Sequence, residues 1–296
     1  MNRSGEIVVI INPGSGTAGA KDLVTRLEDV FRRAGVNAAI VSIPPGERIE
    51  SVVRSALDRK PVAIVAGGGD GTVNAVASAL VGTETALGVL PLGTLNHFAK
   101  AIGIPATVED AADVVVAGRT RQVDVGEVNG RIFLNNSSLG LYPQMVKSRQ
   151  QHQKLGWGKW PSFAWALVTV LRRHPFLQLQ LDADGKKVNR RTPLVFIGNN
   201  KYQLEGLRLG ERERLDGGEL GLCITRGQGR RGLLRLAMDA LLHRLRKGQD
   251  LDAIMLKECR VDSHQKRLEV AIDGEVAWMD LPLHYRVRPL ALKVLA

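Results

Sequence analysis

Apolar residues in the first 120 positions form short continuous runs that alternate with stretches of helical spacing. Ile7 to Ile11 is such a run, and apolar residues then recur every three or four positions from Leu23 to Ala34. Short apolar runs bounded by turn residues are typical of buried parallel strands. Further strands are predicted at Ala38 to Ile43, Val62 to Ala66 and Leu87 to Leu90, and further helices at Ile49 to Leu57, Val73 to Val81 and Thr107 to Ala117. This alternation predicts an α/β domain with a parallel sheet over residues 1–120.

The hydrophobic period changes to two in residues 121–296. Asn129-Gly130, Asp184-Gly185 and Asp273-Gly274 each separate two alternating segments, and such dipeptides are typical of two-residue hairpin turns. A last alternating strand is predicted from Leu283 to Val294. The pattern predicts an antiparallel β domain over residues 121–296, with final strands that are free to return toward the first domain.

Two helical stretches interrupt this β pattern. Residues 144–176 contain six Lys or Arg residues, no acidic residue and three of the four tryptophans. This combination favours a segment that lies at a membrane interface. The stretch at about 230–247 also combines basic and leucine residues, but there we favour an ordinary amphipathic helix with a solvated basic face.

Composition excludes several classes of protein. The chain has 296 residues, of which 44% are hydrophobic and 24% charged, so it is neither wholly disordered nor fibrous. Cys223 and Cys259 are the only cysteines and have no CxxC spacing, which argues against a disulfide framework and a cysteine-rich zinc site. The longest strongly apolar stretch, Phe163 to Leu171, is too short to span a bilayer, and the first residues do not resemble a signal peptide. We therefore expect a cytoplasmic protein.

Positive charge is concentrated in the second part of the chain. Residues 1–122 carry 12 basic and 12 acidic side chains, whereas the other 174 residues carry 29 basic and 18 acidic ones and account for the whole net charge of +11. A basic surface attracts polyanions through long-range electrostatics. Nucleic acid and an anionic lipid surface both fit this charge.

The strongest local motif runs from Ala66 to Asn74, with the sequence AGGGDGTVN between a predicted strand and a predicted helix. Glycines let backbone N–H groups approach a phosphate, and a helix N-terminus adds partial positive charge. Asp70 would repel a bare phosphate but suits a divalent cation that accompanies phosphates. The alternative is a plain strand-to-helix turn capped by Asp70. The chain has no Walker motif and no well-placed GxGxxG.

Two more glycine loops follow predicted strands. Asn12 to Thr17 comes after the first strand, and Pro91 to Asn96 comes after the strand at Leu87. Open α/β sheets bind ligands outside the carboxyl ends of their strands. The three loops together predict a nucleotide site.

These three loops, in this order and spacing, resemble the diacylglycerol kinase catalytic-domain family, which includes bacterial lipid kinases and the related sphingosine kinases. The segments at Val123 to Gly126, Asn135 to Leu141 and Asp273 to Glu275 resemble it as well. The resemblance implies a phosphofructokinase-like α/β domain with a parallel sheet, followed by a C-terminal antiparallel β-sandwich domain that binds the acceptor. It also implies ATP and Mg²⁺ as cofactors.

The resemblance also implies roles for individual residues. Asp70, Asp124 and Glu275 would be catalytic: Asp70 organises Mg-ATP, Asp124 supports the active site, and Glu275 is the general base on the lipid hydroxyl. The nucleotide would be held by Asn12, Ser42, Gly68, Gly69, Asp70, Gly71, Thr72, Asn74, Thr94 and Asn96. From the residues alone, Asp273-Gly274 is a hairpin turn and Glu275 an ordinary strand residue.

The chain departs from the family pattern at two positions. His97 stands where the family usually has Asp after Asn96, and Gly217 replaces the second Asp of a loop that binds a structural Mg²⁺ in some relatives. Asp70 and Asp216 are the candidate metal ligands. Whether the loop at 214–220 binds a metal is not decided by the sequence.

We predict an ATP-dependent lipid kinase that transfers the γ-phosphoryl group to a hydroxyl of diacylglycerol or a related membrane lipid. Its partners would be the lipid substrate and an anionic membrane surface on the inner face of the membrane. No nucleic-acid motif is recognisable. Two alternatives stay open: a soluble NAD-kinase-like phosphotransferase, and a non-catalytic nucleotide-binding protein. The acceptor lipid and the oligomeric state, a homodimer included, are left undetermined.

Overall fold

The chain divides into two compact units. In a computed structural model, which describes residues 5–13, 20–44, 46–141, 143, 176–203, 212, 214–225 and 251–296, the first unit comprises Met1–Val125 with Pro289–Ala296 and the second comprises Gly126–Arg288. The boundary that we predict after residue 120 and the division after Val125 both fall in one strand, Thr120–Val128, which begins in the first unit and ends in the second. Residues 144–175 of the predicted membrane-interface segment and the stretch at 230–247 lie outside the described residues.

The first unit is built on a parallel sheet. Its elements are β1 (Ile7–Ile11), α1 (Ala20–Arg33), β2 (Ala38–Ser42), α2 (Ile49–Leu57), β3 (Ala63–Gly68), α3 (Asp70–Leu80), β4 (Ala86–Pro91), α4 (His97–Ala101), α5 (Val108–Ala117) and the start of β5 (Thr120–Val128). The strand order is β2-β1-β3-β4, all parallel. Every residue of β1, β3 and β4 is buried, which explains their continuous apolar runs.

The predicted helices of this unit are present, and both ends of α5 follow the sequence signals. Thr107 caps α5 by accepting a hydrogen bond from the backbone N–H of Asp110 at 3.3 Å, and Gly118 ends the helix in the left-handed region. The helix α4 was not predicted. It has only five residues, too few to show a helical period.

The second unit is an antiparallel β-sandwich, as predicted. Its further strands are β6 (Arg131–Phe133), β7 (Asn136–Gly140), β8 (Leu177–Ala183), β9 (Lys186–Thr192), β10 (Leu194–Asn199), β11 (Leu220–Thr225), β12 (Leu251–Leu256), β13 (Glu258–Ser263), β14 (Arg267–Ile272) and β15 (Glu275–Asp280). The last strand, β16 (Leu283–Leu295), begins in this unit and ends in the first. One sheet has the order β12-β11-β10-β7-β14-β15, and a second layer has β16-β13-β8-β9. Side chains of both layers, including Leu139, Val195, Leu181 and Tyr285, form one buried core.

All three predicted hairpin turns are confirmed. Asn129-Gly130 joins β5 to β6, Asp184-Gly185 joins β8 to β9, and Asp273-Gly274 joins β14 to β15. Both residues of each turn have positive φ, between 45° and 86°. That geometry selects Asn or Asp followed by Gly. Within the described part of the chain, no helix has the length and apolar character needed to cross a membrane.

Candidate functional site

The carboxyl ends of four parallel strands bring the predicted loops to one edge of the first unit. Ile11, the last residue of β1, is in register with Ser42 on β2 and with Gly67 on β3, and Gly68 is in register with Pro91 on β4. Asn12 follows β1 directly, and Ser42 is exposed at the end of β2. Residues 14–19 of the first loop lie outside the described residues.

Asn12 and Thr72 bind each other behind the glycine loop. The Asn12 backbone N–H donates to the Gly67 carbonyl at 2.9 Å, and its side-chain amide donates to the Thr72 hydroxyl at 3.0 Å. Thr72 is buried. A Cβ at Gly68 would lie 2.5 Å from the Thr72 side chain, so position 68 requires glycine. These two predicted ligands therefore shape the loop between β3 and α3.

The N-terminus of α3 has no side-chain cap from its own N-cap residue. That residue is Gly69, which offers no side-chain oxygen to the first backbone N–H groups of the helix. Gly71 in the first turn is exposed, and Asn74, one turn further, accepts a hydrogen bond from Ser78 at 3.4 Å. Asp70 opens the helix half-buried, and one of its carboxylate oxygens accepts from the Phe98 backbone N–H at 3.4 Å. Backbone N–H groups at a helix N-terminus beside a carboxylate suit phosphates that arrive with a cation.

The loop after β4 packs backbone against backbone on the glycine loop. A Cβ added to Gly93 would lie 2.5 Å from the Cα of Gly69. Asn96 adopts a left-handed conformation with φ of 50° and uses its amide inside the loop, accepting from the Gly93 N–H at 3.1 Å and donating to the Gly93 carbonyl at 2.7 Å. Thr94 and His97 are exposed. Asn96 thus forms the loop, whereas Thr94 and His97 are accessible to a ligand.

Asp124 fixes the backbone of the last strand. It is 1% exposed, and its carboxylate accepts a hydrogen bond from the Leu290 N–H at 2.8 Å. Leu290 has a φ of 50°, which is costly for leucine, and the buried carboxylate holds it there. Both residues belong to the first unit. The structure gives Asp124 this positioning contact.

Glu275 lies on the second unit, at the first position of β15, and is exposed. The turn before it is firmly held. The Asp273 carboxylate accepts hydrogen bonds from three consecutive backbone N–H groups, those of Leu134 at 2.7 Å and of Asn135 and Asn136 at 2.9 Å each. The start of β15 is therefore anchored to the start of β7, and Glu275 projects from a rigid position.

Sequence reasoning explained Asp273 as a turn residue and missed this network. Arg212 donates to the Leu134 carbonyl at 2.6 Å and to the Asn135 side chain at 3.1 Å, and Tyr202 donates to the Asn135 carbonyl at 2.9 Å. Burial lowers the pKa of Arg212, while Tyr202 and then Asp273 oppose that effect. No sequence spacing connects residues 134, 212 and 273, so no local signal could have found the network.

The structure gives a physical reason for one departure from the family pattern. A Cβ at Gly217 would lie 2.6 Å from the Asn200 side-chain oxygen, which accepts the Gly217 N–H at 2.8 Å. Aspartate at position 217 would therefore require the Asn200 side chain to shift. Asp216 is exposed and accepts from Arg214 at 3.0 Å. Among the described residues no group of three His, Cys, Asp or Glu side chains could hold a metal, and a metal at Asp216 stays a prediction.

Two family models match the chain. The diacylglycerol kinase catalytic domain matches residues 6–128. The YegS C-terminal NAD kinase beta sandwich-like domain matches residues 142–296. Together these matches span both units.

Individual relatives agree with these matches. The chain is 28% identical to the diacylglycerol kinase of Bacillus subtilis (strain 168) over 277 residues, which are 92% of this chain and 90% of that protein. It is 38% identical over 181 residues to the "Probable lipid kinase YegS-like" of Klebsiella pneumoniae (strain 342), with 60% of each chain covered. A solved structure of a diacylglycerol kinase from Bacillus anthracis str. Sterne has a TM-score of 0.72 and 18% identity and covers 98% of this chain and 96% of its own. That likeness shows a shared fold.

Proposed function

Because the chain belongs to the diacylglycerol kinase catalytic-domain family and is a kinase, we propose that it transfers the γ-phosphoryl group of Mg-ATP to a hydroxyl of diacylglycerol or a related membrane lipid. The observation that carries this proposal is the N-terminus of α3, which has Gly69 as its N-cap and Asp70 in its first turn, with the glycine loop after β3 packed against the loop after β4. Phosphoryl transfer depends mainly on positioning and on stabilising negative charge, which such a site supplies.

The residues of the first unit fit Mg-ATP. Gly68 and Gly69 have no side chains that would cover the loop, so phosphate oxygens can reach the backbone N–H groups at the start of α3. Asp70 would hold the Mg²⁺, since a carboxylate and phosphate oxygens are the ligands this ion prefers. When bound, Mg²⁺ neutralises charge on the β- and γ-phosphates. Asn12 and Thr72 keep the loop in the shape that binds the phosphates.

The second unit supplies the base. Glu275 would accept the proton of the attacking lipid hydroxyl, a role that requires an accessible carboxylate. Its exposure and the anchoring of the preceding turn by Asp273 support this assignment. Glu275 pairs with Ile272 across the turn, which fixes the position of its backbone. A fixed base loses little entropy when the acceptor binds.

The proposed acceptor is a lipid at an anionic membrane surface, to which the protein would attach peripherally on the cytoplasmic side. The charge distribution supports this, because the excess of basic side chains lies entirely after residue 122. Anionic lipids attract basic surfaces over about one Debye length, roughly 10 Å at moderate salt. Activity should therefore increase with the fraction of anionic lipid and fall with salt.

The test is transfer of labelled γ-phosphate from Mg-ATP into a chloroform-extractable product, with detergent-dispersed diacylglycerol as acceptor. Glu275→Gln should lower kcat by about 10²–10⁴-fold and keep ATP binding. Asp70→Asn should weaken nucleotide use. The matched controls are Glu258→Gln, also an exposed first residue of a strand in the second unit, and Asp22→Asn, also in the first turn of a helix.

The distribution of label separates the alternatives. Label in the organic phase that Glu275→Gln abolishes and Glu258→Gln retains would support the proposal. Label confined to the aqueous phase with a nucleoside acceptor would favour a soluble NAD-kinase-like enzyme. No transfer to any acceptor, with tight ATP binding, would favour a nucleotide-binding protein.

A further inference from the structure

A polar cleft of about 360 Å³ lies on the second unit, at the edge strand β9. Its polar lining side chains are basic or neutral, and no carboxylate lines it. The side chains that could donate hydrogen bonds to a ligand are those of Gln178, Gln180, Asn189, Arg190, Arg191 and His264. Guanidinium and amide N–H groups are the donors that recognise phosphate oxygens, and guanidinium groups do so in pairs of parallel bonds. The cleft is therefore suited to an anion.

Strand register places the amides beside Arg191. Gln178 is directly opposite Arg191, and Gln180 is directly opposite Asn189, so these four side chains share one face of the β8–β9 hairpin. All four are exposed. Ser263 and His264, at the end of β13, close one side of the cleft. Residues of three chain segments, Arg190 included, thus line the cleft.

Among the described residues, neither arginine forms a salt bridge with a carboxylate, and Asp262, which is opposite Gln180 on β13, pairs with Arg260 at 3.6 Å. Arg190 donates only weakly to the Asn189 carbonyl, at 3.4 Å. The Arg191 guanidinium lies over the Phe176 ring, 5.2 Å from its centroid. A cation–π contact orients a guanidinium without neutralising it. The site is thus partly organised before any anion binds.

We propose that this cleft binds the phosphate group of an anionic membrane lipid and so docks the kinase on the bilayer. The proposal rests on the lipid-kinase function above and concerns a site separate from the residues assigned to phosphoryl transfer. The surroundings favour a bilayer over a free phosphate ion. Six of the seven residues of β9 are exposed, the apolar Val188 among them, so an extended surface can reach the cleft. A basic cleft beside an exposed apolar residue matches an anionic interface.

The first experiment is sedimentation of the full-length protein with vesicles of phosphatidylcholine alone or mixed with phosphatidylglycerol. Arg190→Gln/Arg191→Gln should reduce affinity for the mixed vesicles by about 30-fold, the effect of two basic residues at an anionic surface. Lys186→Gln/Lys187→Gln is the matched control, because it removes the same charge from the same strand outside the cleft. Lys187 is about 10 Å along the strand from Arg190, close to a Debye length, so this control should lose less than about fivefold.

Kinase activity on detergent-dispersed lipid separates this proposal from the proposed function. Both double variants should keep wild-type activity there, which also shows that they fold. Equal loss of vesicle binding in the two double variants, or no loss in the arginine variant, would overturn the cleft as a docking site while the kinase assay still stands. Binding of inorganic phosphate by the wild type, with no preference for phosphatidylglycerol vesicles, would also overturn it.

Discussion

Asp273→Asn should destabilise the second unit more than its small change in size suggests. The Asp273 carboxylate receives three backbone N–H groups, from Leu134, Asn135 and Asn136, and it acts on the charge of Arg212. Asparagine tolerates the φ of 46° at this turn, so the substitution changes hydrogen bonding and charge without adding backbone strain. One oxygen acceptor becomes an amide donor that faces N–H groups.

The expected cost follows from the bonds lost. A hydrogen bond to a charged group contributes about 1.5–3 kcal/mol, and an N–H left without an acceptor adds a desolvation cost. The loss of charge opposite a buried guanidinium adds to this. We therefore expect a loss of about 3 kcal/mol in the free energy of unfolding. For a unit of this size, that corresponds to a fall in Tm of about 6–12 °C.

Asp184→Asn is the matched control. Asp184 also begins an Asp-Gly hairpin turn with nearly the same φ, 47°, but it is exposed and accepts only longer bonds, from Lys257 at 3.3 Å and Glu258 at 3.2 Å. Its substitution should cost less than about 1 kcal/mol. Urea unfolding followed by circular dichroism gives both values. If Asp273→Asn costs no more than Asp184→Asn, the three bonds do not anchor the turn and the reasoning fails.

Three further predictions concern packing and ionisation. Gly93→Ala should destabilise the first unit by about 1–3 kcal/mol, because the added Cβ would meet the Gly69 backbone. In the control Gly69→Ala the added Cβ has ordinary contacts, so the unfolding midpoint should be nearly unchanged while ATP affinity falls. Burial raises the pKa of Tyr285, so the unfolded state ionises first and the free energy of unfolding falls above about pH 10. In urea titrations above that pH, the free energy of unfolding of the wild type should fall by up to about 1.4 kcal/mol per pH unit more than that of Tyr285→Phe. Burial, and to a smaller extent Asp182 and Asp184, raises the pKa of Cys259 to about 12, and Cys223 is also buried. Both thiols should therefore react with Ellman's reagent at pH 8 only after unfolding, and rapid reaction in the native protein would contradict this.

The local backbone of this protein could be predicted from its sequence where one short segment carries the whole signal. The Asn129-Gly130, Asp184-Gly185 and Asp273-Gly274 turns, and the Thr107 cap, depend on residues that are neighbours in the chain. Continuous apolar runs likewise identified the buried parallel strands. The short helix α4 escaped because five residues do not complete two turns.

The sequence predicted where the glycine loops lie, but it did not predict the contacts of their side chains. The three glycine loops do follow parallel strands, as the alternation of strands and helices implies. Their polar side chains, however, differ in what they do. Thr72 is buried against Asn12, and Asn96 bonds within its own loop, whereas Thr94 is exposed. Motif spacing places a residue in a loop but does not say which way its side chain is directed.

The sequence by itself determined the two kinds of sheet, the hairpin turns and the glycine loops, because hydrophobic period and turn chemistry act over a few residues. Only the tertiary structure decided the partners of Asp124 and Asp273, which are Leu290 and the backbone from Leu134 to Asn136. Those partners lie more than a hundred residues away, and they meet because of strand register and chain crossing. Register is settled by the packing of whole faces, a property that no single segment carries.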